Sequence, residues 1–440
     1  MEGEWKTLPL EDCMAAIIDY RGKTPTKTSF GVPLVTAKVI KGGRIERPDE
    51  FIAEEDYDTW MRRGMPERGD VVMTTEAPLG EVAQLDGTKV ALAQRVITLR
   101  GKRDLLDNTF LKFLLQSAEV QEELRSRGTG TTVVGIRQSE LRKVSLTLPP
   151  LPEQKAIAAV LGALDDKIEL NRRMNATLEA MARALFQSWF VDFDPVRRNM
   201  DRAGKKSSAS SDEALAKLDA LFPDSFQDSE LGHIPTGWTY SALPDLTTFK
   251  EGPGILAKDF HELGVPLIRL AGLINGISLL AGCNFLAPEM VNQKWSHFRL
   301  EKGDVLLSTS ASLGRVAEVE EEAVGAIPYT GLIAFRARPN RTNQRYIRHY
   351  LTSPHFQRQV EAMGVGSVLR HFGPTHLKSM SVLEPPLAIQ RAFSDFVAPL
   401  DQKVARNLME SRTLATLRDT LLPKMLSGEL TTHEPLSSSE

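Results

Sequence analysis

Two clusters of basic residues are the side chains of this sequence best suited to ligand chemistry. The first surrounds a glycine- and threonine-rich loop at 128–132, and the second lies in the other half of the chain. Arginine and lysine bind phosphate oxygens, while threonine, serine, glutamine and arginine form hydrogen bonds with the edges of nucleobases. The pattern therefore favours binding of a nucleic acid over the breaking of covalent bonds. The clusters consist of Arg125, Arg127, Arg137, Arg142 and Lys143, and of Arg336, Arg338, Arg341, Arg345 and Arg348.

Residue patterns that carry out catalysis are missing. The tripeptide Gly-Lys-Thr at 22–24 matches the end of a phosphate-binding loop, but Ile17 stands where its first glycine is required. No GxGxxG or HxxxH pattern occurs, and the two cysteines have no CxxC spacing. The acidic step from Asp192 to Asp194 is typical of a helix end. We therefore expect no metal, no cofactor and no catalytic residue in this chain.

The composition is that of an ordinary globular protein. The chain has 440 residues, of which 42% are hydrophobic and 25% charged, and its net charge is -3. This length predicts two or three domains, and the charge argues against a protein that coats nucleic acid through bulk positive charge. Because the N-terminal segment has no apolar signal region and no run is long enough to span a membrane, we expect a cytoplasmic protein.

The two halves of the chain are copies of one another. Matching blocks in the same order are GVPLV at 31–35 and GVPLI at 264–268, RGDVVMTTEAPLG at 68–80 and KGDVLLSTSASLG at 302–314, and PPL at 149–151 and 385–387. Within each copy, β-branched runs bounded by glycine or proline, such as 69–75 and 303–309, predict strands. Apolar spacing predicts helices at 108–127 and 344–363.

Each copy ends in a heptad pattern that predicts a coiled-coil helix of about 38 residues, roughly 57 Å long. Four polar seam residues, Asn171, Asn175, Asn407 and Ser411, are expected to fix one register. The alternative is a pair of long helices that pack on a neighbouring domain. The residues predicted for the seam and for partner docking are Ile157, Leu164, Ile168, Asn171, Leu178, Leu185, Val397, Leu400, Val404, Asn407, Leu414 and Leu421.

The fold class predicted is a mixed α/β (α+β) protein with an internal pseudo-two-fold repeat. We expect two similar globular domains separated by two long antiparallel coiled-coil helices. The predicted segments are a first domain at 1–148, a helix at 149–195, a connector at 196–232, a second domain at 233–383, a second helix at 384–430 and a tail at 431–440.

Several motifs are similar to one known family. LPEQKAI at 151–157, LDDKI at 164–168 and LFQSWFVDFDP at 185–195 resemble its central conserved region. GHIPTGW at 232–238 resembles the start of its second recognition domain, and PKMLSGE at 423–429 its distal region. Over almost its full length, the chain resembles the specificity subunit of a type I restriction-modification system.

The resemblance implies a non-catalytic DNA-binding subunit whose two target-recognition domains read the halves of a bipartite, asymmetric site in double-stranded DNA. It implies two DNA methyltransferase subunits docked on helices that set the spacer, and two restriction and translocase subunits. S-adenosylmethionine, ATP and Mg²⁺ would then belong to those partners. One departure is LAIQ at 387–390 in place of LPEQ, and a second is Arg418 at a seam position. Both leave open how alike the two helix surfaces are.

Residues for DNA contact are predicted from the matching loops and their hydrogen-bonding groups. The predicted DNA-binding residues are Lys23, Thr75, Gln94, Arg95, Arg127, Thr129 and Thr131 in the first copy, and Lys250, Ser308, Ser310, Arg315, Tyr329, Ser367 and Arg370 in the second.

Two other functions remain open. One is a coiled-coil adaptor with duplicated protein-binding domains, and the other is a stand-alone DNA-modifying enzyme.

Overall fold

The computed structural model describes residues 5–20, 22, 24–130, 133–204, 213–230, 232–275, 278–309, 313–363 and 372–430. The chain divides into two compact units. The first unit is Met1–Ile168 with Thr413–Glu440, and the second unit is Glu169–Arg412. This division cuts through both long helices, so the six segments expected from the sequence stay a prediction.

The first unit contains eleven short strands among its described residues. They are β1 Lys6–Pro9, β2 Met14–Asp19, β3 Val32–Val35, β4 Ile40–Lys41, β5 Arg44–Ile45, β6 Phe51–Ile52, β7 Val71–Thr75, β8 Leu79–Gln84, β9 Ala91–Leu92, β10 Val96–Gly101 and β11 Ser145–Leu148. Its helices are α1 Leu10–Cys13, α2 Tyr57–Trp60, α3 Asn108–Gln116, α4 Ala118–Ser126 and α5 Gln138–Leu141, followed by the long helix α6 Leu151–Phe190, which continues into the second unit.

The second unit begins its own elements with two helices, α7 Asp194–Gly204 and α8 Glu213–Asp219. Its strands are β12 Phe226–Ser229, β13 Gly232–Pro235, β14 Thr239–Ala242, β15 Thr247–Glu251, β16 Val265–Ile268, β17 Asn284–Leu286, β18 Val305–Ser308, β19 Val316–Glu318, β20 Ile327–Pro328, β21 Leu332–Ala337 and β22 Ser381–Glu384. The other helices are α9 Leu243–Leu246, α10 Leu270–Asn275, α11 Pro288–Met290, α12 Gln344–Leu351, α13 Pro354–Met363, α14 Pro374–Lys378 and α15 Leu387–Leu426.

The sheets repeat the same strand order in both units. The first unit has sheets β2-β10-β7-β8 and β6-β3-β9, and the second has β15-β21-β18-β19 and β17-β16-β20. In each three-stranded sheet the middle strand runs parallel to one neighbour, with Leu34 opposite Ala91 and Leu267 opposite Ile327. A further antiparallel pair closes each globular part, β1 with β11 and β14 with β22. The predicted mixed fold with an internal repeat is confirmed.

The central strands β7 and β18 are buried on both faces. Val71 and Met73 belong to one hydrophobic cluster, while Val72, between them, belongs to another. Residues 305–307 divide in the same way between two clusters of the second unit. Because successive side chains of a strand point to opposite faces, burial on both faces requires a continuous apolar run. This explains why these two segments were recognisable as strands in the sequence.

The helices predicted at 108–127 and 344–363 are each interrupted. Ser117 separates α3 from α4 in an extended conformation, and its hydroxyl accepts a hydrogen bond from the N–H of Val120 at 3.3 Å. Ser353, between α12 and α13, accepts from the N–H of Phe356 at 3.2 Å. Serine at such a position satisfies a free N–H group of a new helix start. The prediction of single helices was therefore wrong, because a local cap overrides a continuous apolar spacing.

Each long helix has 40 residues and begins directly after a Pro-Pro step. Gln154, in the first turn of α6, is 1% exposed. Its Oε1 accepts a hydrogen bond from the N–H of Asp107 at 3.0 Å, and its Nε2 donates to the carbonyls of Leu105 and Pro149 at 3.0 and 2.8 Å. Gln390 stands in the equivalent place in α15. Among the described residues, no helix is both long and apolar enough to cross a membrane.

In each unit an arginine clamp joins one strand of the main sheet to the turn before the central strand. Arg100 on β10 donates from Nε and Nη2 to both carboxylate oxygens of Asp70, at 2.7 and 2.8 Å, and from Nη1 to Glu67 at 2.6 Å. In the second unit Arg336 makes the same contacts with Asp304, at 2.8 and 2.7 Å. A bidentate pair of this kind fixes geometry strongly. The clamps hold the turns that lead into β7 and β18.

The matching glycines before β3 and β16 are required by close backbone contacts. Gly31 has a φ of +125°, and a Cβ there would lie 2.2 Å from the carbonyl oxygen of Ile52. Gly264 has a φ of +142°, with the carbonyl of Leu286 at the same 2.2 Å. Any larger residue would clash with the neighbouring strand. The repeated Gly-Val-Pro-Leu block is therefore a feature of the fold.

Candidate nucleic-acid interface

Three chain segments meet at the end of β7 in the first unit. The N–H of Thr75 donates to the carbonyl of Arg95 at 3.0 Å, and the N–H of Ile136 donates to the carbonyl of Thr75 at 2.9 Å. Thr129 and Gly135 exchange two backbone hydrogen bonds of 2.8 and 3.0 Å. These bonds bring loops that are distant in sequence into one small surface.

The segments enclose an open cavity of about 400 Å³. Its lining brings together two guanidinium groups, a carboxylate, an amide and a hydroxyl, which are the groups that bind phosphates and the edges of bases. The cavity is therefore the candidate interface of the first unit. It is lined by Gly22, Glu76, Gln94, Arg95, Thr129, Val133, Gly135, Ile136 and Arg137.

Three of the predicted DNA-binding residues, Gln94, Arg95 and Thr129, line this cavity together. Thr75 lies behind it and is 2% exposed, and its hydroxyl donates to the carbonyl of Arg95 at 3.3 Å. Thr75 therefore supports the loop, and its side chain is not part of the cavity lining. Two further predicted residues, Lys23 and Thr131, lie outside the described residues.

Most of the first basic cluster is neutralised by neighbouring acids. Arg127 forms ion pairs with Glu123 at 2.9 Å and with Glu140 at 3.7 Å. Lys143 pairs with the same Glu140 at 2.7 Å. Arg137 is exposed and is the member of the cluster that lines the cavity, so it is placed to meet a ligand there. A phosphate would compete with carboxylates for the paired groups.

The second basic cluster holds the second unit together. Arg341 donates to both carboxylate oxygens of Glu384, at 2.9 and 2.8 Å. The guanidinium lowers the pKa of Glu384 below its ordinary value through this hydrogen bond, against the smaller opposing effect of burial. Arg345 and Arg348 both bind Asp401, at 2.8 and 2.6 Å. The interpretation of this cluster as a phosphate-binding surface was too broad, because the sequence does not show that Arg341, Arg345 and Arg348 face partly buried carboxylates.

The predicted residues of the second unit are spread over several strand ends. Ser308, which is fully buried, accepts the N–H of Arg315 at 3.0 Å through its hydroxyl, and Arg315 itself is exposed. The guanidinium carbon of Arg269 lies over the ring of Tyr329, 4.5 Å from the ring centre. Lys250 is exposed and donates to a backbone carbonyl at 3.1 Å. Ser310, Ser367 and Arg370 lie outside the described residues.

The predicted seam residues of the long helices are all buried or partly buried. Fully buried are Ile157, Asn171, Val397, Val404 and Asn407, and partly buried are Leu164, Ile168, Leu178, Leu185, Leu400, Leu414 and Leu421. This burial follows the heptad pattern along both helices. A docking role for these residues stays a prediction.

Polar contacts within each unit join the two helices in antiparallel order. In the second unit Asn407 donates to Oδ1 of Asn175 at 2.7 Å, and Asn171 donates to the hydroxyl of Ser411 at 3.3 Å. As residue numbers rise along α6, those of the contacts on α15 fall. Buried amides of this kind admit one register only.

The first unit has a charged contact between the same two helices. Arg418, the seam arginine, donates to Oδ1 of Asp165 at 2.7 Å. The ammonium group of Lys112, on α3 of the globular part, binds the other oxygen of the same carboxylate. Asp165 therefore ties the globular part to both helices.

Sequence reasoning missed one residue of the cavity wall, Glu76, and named Arg137 only as a member of the first basic cluster. Glu76 lies inside the matching block 68–80, where the second copy has Ser310. A difference within an otherwise matched block is the signal that identifies such a position. Among the described residues, no group of three or more His, Cys, Asp or Glu is arranged to hold a metal ion.

Comparison with known proteins identifies the family of this chain. Residues 4–180 and 235–412 each match the model of the type I restriction modification DNA specificity domain. The chain belongs to the type I restriction-modification specificity subunits. The two matches cover the two copies of the repeat, so the subunit carries two DNA specificity domains.

Relatives match along most of their length. The chain is 25% identical to the type I restriction enzyme MjaIX specificity subunit of Methanocaldococcus jannaschii, over 98% of this chain and 94% of the relative. It is 26% identical to the HindI specificity subunit of Haemophilus influenzae, over 73% and 77% of the two chains. Among solved structures, the S subunit from M. genitalium aligns over 96% of both chains, with 18% identity and a TM-score of 0.49.

Proposed function

We propose that each specificity domain reads one half of a bipartite, asymmetric DNA site. In this proposal the two long helices set the spacer between the halves and dock two methyltransferase subunits. The complete complex adds two restriction and translocase subunits. S-adenosylmethionine, ATP and Mg²⁺ act in these partners, and the chain itself contributes recognition without catalysis in the cytoplasm.

The observation that carries the proposal is a constant frame with different residues at the cavity. Both units have the same sheet order. The bond from the N–H of Thr75 to the carbonyl of Arg95 has its counterpart in the bond from Thr309 to Gly331, at 2.9 Å. The position of Arg95 is thus glycine in the second domain. Domains that share a frame but differ in the groups they present are suited to reading different sequences.

Partner docking is supported by apolar side chains on the outer faces of both helices. Each of these side chains is between 38% and 65% exposed, in spite of its size. Large apolar side chains exposed on a helix are candidates for a protein interface. We infer that methyltransferase subunits cover them. The residues are Val160 and Leu417 in the first unit, and Leu170, Met181, Phe396 and Met409 in the second.

Co-production of the chain with its methyltransferase subunits, followed by sequencing of methylated adenines, tests the proposal. We expect one motif with two defined halves and a spacer of constant length. A contiguous motif, or no methylation above that of the methyltransferase alone, would contradict it. S-adenosylmethionine binding by the isolated chain would instead favour a stand-alone enzyme, and complexes without salt-dependent DNA affinity would favour a protein adaptor.

The spacer is tested by lengthening both helices in phase. Seven residues inserted after Ile168 and seven after Arg412 add about 10 Å to each helix and preserve the heptad. At 3.4 Å for each base pair, the spacer should grow by at most about three base pairs. The same seven residues inserted within 205–212 are the control, and they should leave the spacer unchanged. An unchanged spacer in the helix variant would exclude the helices as its determinant.

A further inference from the structure

Glu76 places a carboxylate on the wall of the cavity in the first unit. Its Oε1 lies 2.7 Å from Nε of Arg95 in an ion pair, and the two side chains are 42% and 51% exposed. Gly135 lies against it, since a Cβ at that position would be 3.0 Å from Cβ of Glu76 and 3.3 Å from its Oε2. Glycine at 135 thus leaves room for the carboxylate, and the ion pair stands open to a ligand.

A carboxylate on a DNA-reading surface has a narrow choice of partners. Phosphates repel it, and in the major groove only the amino groups of cytosine and adenine donate hydrogen bonds to it. Arg95 uses Nε for the ion pair, so its terminal amino groups remain for a second partner. These two nitrogens are spaced to donate one hydrogen bond each to O6 and N7 of guanine.

We propose that Glu76 and Arg95 together read one G·C base pair in the half-site of the first domain, an inference that rests on the function proposed above. Arg95 donates from its terminal nitrogens to O6 and N7 of guanine. Glu76 holds Arg95 through Nε and accepts a hydrogen bond from N4 of the paired cytosine. The two side chains thus act as one reader of both bases of the pair.

An A·T pair in the same orientation is rejected at both contacts. The N6 amino group of adenine would face the donors of Arg95, and O4 of thymine would face the carboxylate of Glu76. Repulsive contacts of this kind add to specificity beyond the favourable ones. Because the counterpart of Arg95 in the second domain is Gly331, this reader belongs to the first half-site alone.

Methylation of duplex libraries, each randomised at one position of the site, tests the inference. The full chain with its methyltransferase subunits is compared with the variants Arg95→Ala, Glu76→Ala and Glu76→Gln. We expect Arg95→Ala and Glu76→Ala to lose discrimination at the same G·C position, on the order of 10- to 100-fold, while other positions are unaffected. Glu76→Gln should relax that position as well, because its amide also donates to thymine.

Glu54→Gln is the matched control, since Glu54 forms an exposed ion pair with Lys89 that is not part of the cavity lining. It should leave the motif unchanged. The preference at the second half-site should be retained in every variant, which shows that the chain is folded. Relaxation at two different positions, an A·T pair at the affected position, or a uniform loss across all sequences would overturn the inference. Absence of a bipartite motif for the unmodified chain would instead overturn the proposed function.

Discussion

Replacement of Gln390 by leucine is expected to destabilise the second unit. The side chain is fully buried in the first turn of α15. Its Oε1 accepts hydrogen bonds from the N–H of Asn343 at 3.0 Å and from the hydroxyl of Thr342 at 2.8 Å, and its Nε2 donates to the carbonyl of Pro385 at 2.8 Å. One amide therefore connects the start of α12, the end of the last strand and the long helix.

The magnitude follows from the groups that lose a partner. Leucine is similar in size, so no large cavity forms, and the hydroxyl of Thr342 is free to rotate. The partly buried N–H of Asn343 and the buried carbonyl of Pro385 lose their partner, each costing about 1–3 kcal/mol. We expect a loss of about 3–4 kcal/mol, which for a unit of this size corresponds to a fall of roughly 6–16 °C in its unfolding temperature.

Scanning calorimetry of the full chain measures this loss. Gln390→Leu should lower the transition of the second unit, and Gln154→Leu, its counterpart in α6, should lower that of the first. Gln402→Leu is the control, because Gln402 is exposed on the same helix as Gln390. If Gln390→Leu stayed within about 0.5 kcal/mol of the unmodified chain, or if the control had an equal effect, the buried amide would not be holding the helix to the domain.

Three other changes test the helix seam and the ion pairs. The double change Asn175→Leu and Asn407→Leu removes a buried amide pair. It should raise the unfolding free energy of the second unit by about 1 kcal/mol and allow DNA spacers of more than one length. A lower unfolding free energy than that of the unmodified chain would contradict this. Arg341 lowers the pKa of Glu384 below its ordinary value of 4.5. The stability that this ion pair adds is therefore complete above pH 4.5, and it is lost as the pH falls through the lower pKa that Glu384 has in the folded protein. The difference in urea unfolding between the unmodified chain and Glu384→Gln should therefore shrink as the pH drops below 4.5, and a constant difference would argue against it. Asp165→Asn leaves the ammonium group of Lys112 without a carboxylate, while Arg418 keeps its ion pair with Asp419. The change should cost the first unit about 3 kcal/mol, with no change in the calorimetric transition of the second; loss of both transitions would show a different role.

The helices and the repeat were predictable because their signals are long. A heptad pattern continued over some forty residues indicates the same buried helix face in every turn pair, and the burial of both long helices follows this pattern. The break at Ser117 depends on one hydroxyl and one N–H group, and a continuous apolar spacing hides it. Short local caps decide where such a helix ends, so the existence of the helix was predictable and its interruption was not.

The basic clusters show the limit of reading charge from a sequence. Arg341 and Arg95 look alike in the sequence, yet Arg341 donates from Nε and Nη2 to both carboxylate oxygens of Glu384, whereas Arg95 pairs through Nε with Glu76 and lines an open cavity. Which carboxylate an arginine meets is decided by contacts that form only in the folded chain. Charge in the sequence therefore does not tell whether an arginine is bound to carboxylates of the fold or presents nitrogen atoms to a ligand.

The repeat itself separates residues that build the frame from the candidate residues for DNA contact. Arg100 and Gln154 have identical counterparts at 336 and 390, and both pairs hold the backbone. Arg95 and Glu76 have different residues at the matching positions, and both line the cavity. The DNA-binding residues were predicted from loops that match between the two copies, and such loops are rich in residues that build the frame. The buried position of Thr75 is an example. If the two domains read different half-sites, as we propose, the residues that build the domain stay the same and those that face the DNA change. We therefore expect the DNA-reading residues where the matched blocks differ.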